Sequence, residues 1–132
     1  MIPQTSLRAQ VFAYAANQYG TTPEYLWAIA PDYAVLRHQS NRKWYGLVMD
    51  VTYEKLGAQK TGPVDVLNVK LDDPLLCDFL IGQTGYYRGY HISRGNWVSI
   101  ALDGTVGLDE ICRLLDMSYG VTAAKPKKGK GT

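Results

Sequence analysis

An α+β domain, with an antiparallel sheet and helices packed on one face, is what this 132-residue sequence predicts. Three observations lead there. Two strand pairs, 33–52 and 87–102, are each interrupted by a short polar turn. Amphipathic segments of helical period open and close the chain. Hydrophobic residues at 46% and charged residues at 20% suit a single globular core, placed over 1–122, with a disordered basic tail over 123–132.

The first helix is expected after Pro3, with Thr5 or Ser6 as N-cap and Gly20 as C-cap. Leu7, Val11, Tyr14, Ala15 and Gln18 share one face, and all but Gln18 suit burial. Thr21-Thr22-Pro23-Glu24 is read as the cap of a short turn carrying Tyr25, Leu26 and Trp27. Strands at 33–38 and 44–52 form a hairpin around Ser40-Asn41. One helical turn follows at 53–57, then a loop at 58–63. The strand at 64–71 is apolar on both alternating faces, which predicts cover on both sides. Asp72 or Asp73 caps a helix opened by Pro74 and stopped at Gly82. Strands at 87–92 and 96–102 flank Ser93-Arg94-Gly95. Val98, Ile100 and Leu102 should face the helices, with Trp97 on the other side, near Trp44. A last helix at 108–117 buries Leu108, Ile111, Leu114 and Leu115 and leaves Asp109, Glu110, Arg113 and Asp116 in water.

Charge divides the chain unevenly. Residues 125–132 carry four Lys and no acid, while the preceding 124 hold ten basic and twelve acidic side chains, a net of −2. The body is therefore slightly acidic, unlike a strongly basic nucleic-acid binder. No stretch approaches the ~20 apolar residues of a membrane span, and the first ten residues lack the pattern of a signal peptide. Cys77 and Cys112 match no zinc or redox spacing and read as buried thiols in a reducing cytoplasm. No cofactor is expected and no membrane partner. The oligomeric state stays open, with a monomer slightly favoured.

Four segments in register carry a resemblance. They are YAVLRHQSNRKWYGLVMDV (33–51), VDVLNVKLDDP (64–74), GYHISRGNWVSIALDG (89–104) and LLDMSYGVT (114–122). Together they resemble the MmcQ/YjbR family along nearly the whole chain. The resemblance implies a frataxin/CyaY-like, double-wing α/β sandwich. It also implies DNA binding, the property for which members of this family are often named. Where the family usually carries a Met-Asn-Lys type run, this chain has Ile92-Ser93-Arg94, which keeps a basic residue and loses the Asn.

Arg37, Arg42, Lys43, Arg88 and Arg94 lie in or beside the two hairpins and are the predicted phosphate contacts. The competing explanation is that they are solvated turn tips. His38, His91 and Trp97 form the alternative, a small-ligand pocket; structural histidines and a core indole are the simpler reading of the same residues. A protein-interaction module using Tyr86, Tyr87 and Tyr90 is a third class. Asp72, Asp73 and Asp78 are better explained by helix capping than by a metal. Residues 5–19 contain no acid, which argues against frataxin-type iron binding. Ser40-x-x-Lys43 and Lys60-Thr61-Gly62 mimic penicillin-binding motifs, but the serine sits in a hairpin turn and the middle motif is missing, so no catalytic residue is assigned.

Overall fold

The computed structural model describes residues 6–89 and 96–124. Its elements are α1 (Leu7–Tyr19), β1 (Ala34–Arg37), β2 (Trp44–Thr52), α2 (Tyr53–Leu56), β3 (Pro63–Lys70), α3 (Pro74–Ile81), β4 (Tyr86–Arg88), β5 (Trp97–Ala101) and α4 (Leu108–Thr122). The strands form one antiparallel sheet in the order β1-β2-β3-β5-β4.

Local chemistry sets most boundaries. The Ser6 hydroxyl accepts the Ala9 N–H, and Gly20, at φ 70°, closes α1 in the left-handed conformation that glycine adopts without strain. Asp73 caps α3, with Pro74 as its first residue. Thr52 caps the single turn of α2.

Two layers cover the sheet. On one face α1, α3 and α4 pack over Leu36, Val48, Leu67, Val69, Val98 and Ile100. On the other, Val35, Leu47, Met49, Val51, Val64, Val66 and Ala101 form a smaller cluster, covered by Trp27, Tyr33, Trp44, Tyr87 and the α2 residues Tyr53 and Leu56. Among the described residues, α1, α3 and α4 contribute only to the first cluster, so the second face is the more open one. β3 carries buried apolar residues on both faces, Val64 and Val66 on one and Leu67 and Val69 on the other, because it is central and covered on both sides. Its Asn68 is fully buried but donates to the Leu47 carbonyl at 3.2 Å and accepts from the Ser99 hydroxyl.

Three expectations are corrected. The segment after Gly20 meets the sheet edge through a bridge at Glu24 rather than capping a short turn. Glu24 exchanges both backbone hydrogen bonds with Val35, at 2.9 and 2.8 Å, so its peptide groups are used by the sheet edge. Second, α4 continues five residues beyond Met117, to Thr122, because Ser118 and Thr122 extend its buried stripe. Third, Cys112 is half-buried rather than buried, although both thiols are free.

A β-bulge explains why α4 needs that serine. Leu36 pairs with Gly46 but Arg37 pairs with Trp44, which leaves Tyr45 as the extra residue. Tyr45 therefore turns toward the helices, and Trp44 and Leu47 both lie on the open face. The β2–β3 ladder runs only as far as Gly46 opposite Val69. Beyond it, the Ser118 hydroxyl donates to the Tyr45 carbonyl at 2.6 Å and accepts the Lys70 N–H at 2.8 Å. A helix side chain stands where one ladder bond is missing. Gly46 permits the approach, since a Cβ there would lie 3.1 Å from Leu36 Cδ1 and 3.4 Å from Leu115 Cδ1. Ser118→Ala is expected to leave a buried donor and a buried acceptor unpaired and to cost about 2 kcal/mol. Urea unfolding measures this; a change below about 0.5 kcal/mol would show that the strands close on each other without the hydroxyl.

Candidate nucleic-acid interface

The register brings both hairpins to one end of the sheet. β1 ends at Arg37, β2 begins at Trp44, β3 ends at Lys70, β5 begins at Trp97 and β4 ends at Arg88. The hairpins occupy opposite edges, with β3 between them. α4 ends there too: the Asn41 amide donates to the Thr122 carbonyl at 2.9 Å. Residues 125–132, with their four Lys, thus continue a chain that leaves beside the first hairpin.

Charge is polarised along the strands. At this end Arg37, Arg42, Lys43, Lys70 and Arg88 stand against Glu24, Asp72 and Asp73. At the other, Arg8, Lys55 and Lys60 stand against Asp32, Asp50, Glu54, Asp65 and Asp103. Asp50 and Asp65 are direct cross-strand neighbours there.

The five predicted contacts are not equivalent. Arg37 holds Glu24 through two nitrogens, Nε to Oε2 at 3.0 Å and Nη2 to Oε1 at 2.5 Å. That contact lowers the Glu24 carboxyl below its usual range and raises Arg37. Arg42 lies 3.9 Å from the same carboxylate but is well exposed. It occupies a left-handed backbone conformation at φ 64°, a strain of about 1 kcal/mol or more for a residue with a side chain. Lys43, Lys70 and Arg88 have no ion-pair partner among the described residues. Arg94 lies outside the described residues. Lys70 was missed by sequence reasoning, because its place between two hairpins is a property of the strand order.

The alternative pocket set is not brought together. His38 is buried on the helix face, against Tyr45 and Tyr119. Trp97 alternates with Val98 and so lies on the open face. His91 lies outside the described residues. Of the tyrosines proposed as an exposed patch, Tyr86 is buried, with its hydroxyl donating to Glu110 at 3.3 Å, and Tyr87 is half-buried; Tyr90 lies outside the described residues. Hollows do exist elsewhere among the described residues, two of them on or beside the first hairpin. A polar one of about 370 Å³ is lined by Thr21, Thr22, Glu24, Arg37, Gln39 and Arg42. An apolar one of about 520 Å³ is lined by Trp27, Ile29, Ala30, Tyr33, Trp44, Leu47 and Met49.

The YjbR family model matches residues 16–121. The chain belongs to the YjbR family. The uncharacterised protein YyaQ of Bacillus subtilis (strain 168) is 42% identical over 115 residues, covering 87% of this chain and 97% of YyaQ. A crystal structure of a Pseudomonas syringae protein superposes with a TM-score of 0.83 at 39% identity, covering 88% of this chain and 98% of that one. A solution structure from the same organism gives 0.81 at 36% identity, covering 93% and 98%. A Deinococcus radiodurans protein shares the fold, with a TM-score of 0.68 at 21% identity over 96% of this chain and 87% of its own. The matched region of this YjbR chain contains both hairpins and nearly all of α4.

Beneath the first hairpin of this YjbR domain, aromatic rings tie α1 to α4. Tyr19 and Tyr119 stack at 4.0 Å, and both meet Tyr45 edge-on. The Tyr14 and Tyr19 hydroxyls both donate to Asp116. The Thr122 hydroxyl donates to the Ser118 carbonyl at 2.8 Å and so accepts from Nε2–H of His38 at 2.9 Å. Burial pushes the His38 imidazole below its usual value, with the charge of Lys43 acting in the same direction and a backbone hydrogen bond at Tyr119 opposing both. The folded state thus prefers a neutral ring, while the unfolded chain takes up a proton near pH ~6.5. This contribution to stability is full above that pH and is lost as the pH falls. Unfolding free energy should therefore rise between about pH 5.5 and 7. The rise should shrink in His38→Gln; a slope identical in both proteins would assign it to other groups.

Proposed function

We propose that this YjbR protein is a nucleic-acid-binding module that offers the hairpin end of its sheet to the phosphate backbone. The observation that carries the reading is the convergence, at one end of a net-acidic body, of Lys43, Lys70 and Arg88, all without ion-pair partners among the described residues. Arg42 sits among them, and the tail with four further Lys starts there. A polyanion approaching the acidic end meets Asp50, Asp65 and Glu54 instead. DNA binding is also what the family resemblance implies. No catalytic role is proposed for any residue. A second reading, an apolar small-molecule ligand, is favoured by the hollow at Trp27, Tyr33 and Trp44.

The test is electrostatic. In a chain ending at Ala124, which removes the tail's own attraction, log affinity for duplex DNA should fall with log salt at a slope of about −0.9 per phosphate neutralised. Replacing Arg42, Lys43 and Arg88 with Ala should weaken binding to all sequences and flatten that slope. A slope unmoved by the triple substitution would place the contacts elsewhere on the body.

A further inference from the structure

The sheet register sets cations and indoles side by side on the open face. Arg37 pairs with Trp44, and Lys70 pairs with Trp97. The two pairs adjoin, because Ser118 bridges Lys70 to Tyr45, the neighbour of Trp44. The bulge at Tyr45 keeps Trp44 on the open face, and alternation from Val66 and from Ala101 puts Lys70 and Trp97 there as well. Across the strands the order is Arg37, Trp44, Lys70, Trp97. The β2–β3 ladder ends at Gly46 and the Ser118 hydroxyl stands between the strands beyond it, so Lys70 lies between the two indoles in strand order. Arg37 is neutralised by Glu24, whereas Lys70 is not paired among the described residues. All three residues of the stretch Trp44, Lys70 and Trp97 are half-buried, each with surface left over.

We propose that a single-stranded nucleic acid lies across this face, with bases stacking on Trp44 and Trp97 and a phosphate meeting Lys70. The proposal rests on the nucleic-acid reading above and gives it a strand type and a surface. An aromatic face is useful only to a base whose own face is free. In a duplex those faces are hidden inside the stack and only the groove edges are offered. Flanking cations without stacking rings would serve a duplex as well; rings set between cations favour the unpaired strand. Among the described residues no helix covers this part of the sheet, since α2 and the segment bearing Trp27 and Tyr33 pack over the cluster of β1, β2 and the far end of β3. The apolar hollow that shares Trp44 offers additional room beside the first stacking position.

The protein has three Trp: Trp27 and Trp44 pack on the cluster of this face, and alternation with Val98 puts Trp97 on the same side. Its intrinsic emission therefore reports directly on occupancy. The full chain is titrated at low salt with a thymidine oligonucleotide of about 15 nucleotides and with a duplex of equal length, followed by tryptophan emission and by anisotropy of a labelled strand. The thymidine strand should bind more tightly than the duplex and quench the emission. Trp97→Leu should weaken it about tenfold. Lys70→Gln should weaken it several-fold and reduce the salt slope by about 0.7. If Trp97→Leu fails to fold, Lys70→Gln decides. Duplex binding without strand binding overturns the proposal and leaves the nucleic-acid reading standing. So does strand binding that neither quenches emission nor responds to either substitution. If neither probe binds, both readings fall.

Discussion

A single hydroxyl stands where the sheet and the helical layer are joined. The extra residue Tyr45 ends the β2–β3 ladder one step early, and Ser118 of α4 fills the gap by serving both strands. The arrangement demands a long final helix, a small residue at Gly46 and a hydroxyl at an otherwise apolar helix position. All buried side-chain polar atoms of the described residues have partners, as a domain of this size requires to remain stable.

The same bulge divides the rings of the protein. Tyr45 goes to the helix side, where it meets Tyr19, Tyr119 and His38. Trp44 goes to the open side, where it meets Trp27 at 5.7 Å. Without the extra residue the alternation would exchange these faces. The hydrogen-bonded, tyrosine-rich layer stiffens the α1–α4 seam, and the tryptophan-bearing face is left with less cover.

The sheet also separates charge by position rather than by amount. The body is slightly acidic as a whole, yet its strand ends differ in sign, because antiparallel pairing sends both hairpins one way. Overall charge alone would have argued against a polyanion partner. A field acts locally, within about 8–10 Å at physiological salt, so the strand ends matter more than the sum.

Much of the fold was legible in the chain. The caps at Ser6, Gly20 and Asp73, the two-sided burial of β3 and the division of β5 between Val98, Ile100 and Trp97 follow from local conformational preference and from periodicity. Such features depend on residues within a few positions of each other. Other features rest on long-range contacts. The bulge at Tyr45 and the continuation of α4 through Gly120 depend on a helix and strands more than 40 residues apart. The bridge at Glu24 exists because Val35 offers it an edge. The site divides in the same way. Arg42, Lys43 and Arg88 were recognisable as hairpin cations, but the pairing of Arg37 with Glu24, the burial of His38 and the position of Lys70 between two indoles were not. The sequence by itself determined which segments pair as hairpins and which carry charge, since turn chemistry and alternation are local. Only the tertiary structure decided which of those charges remain unpaired and which rings share a face with them, because strand order and register arise when distant segments meet.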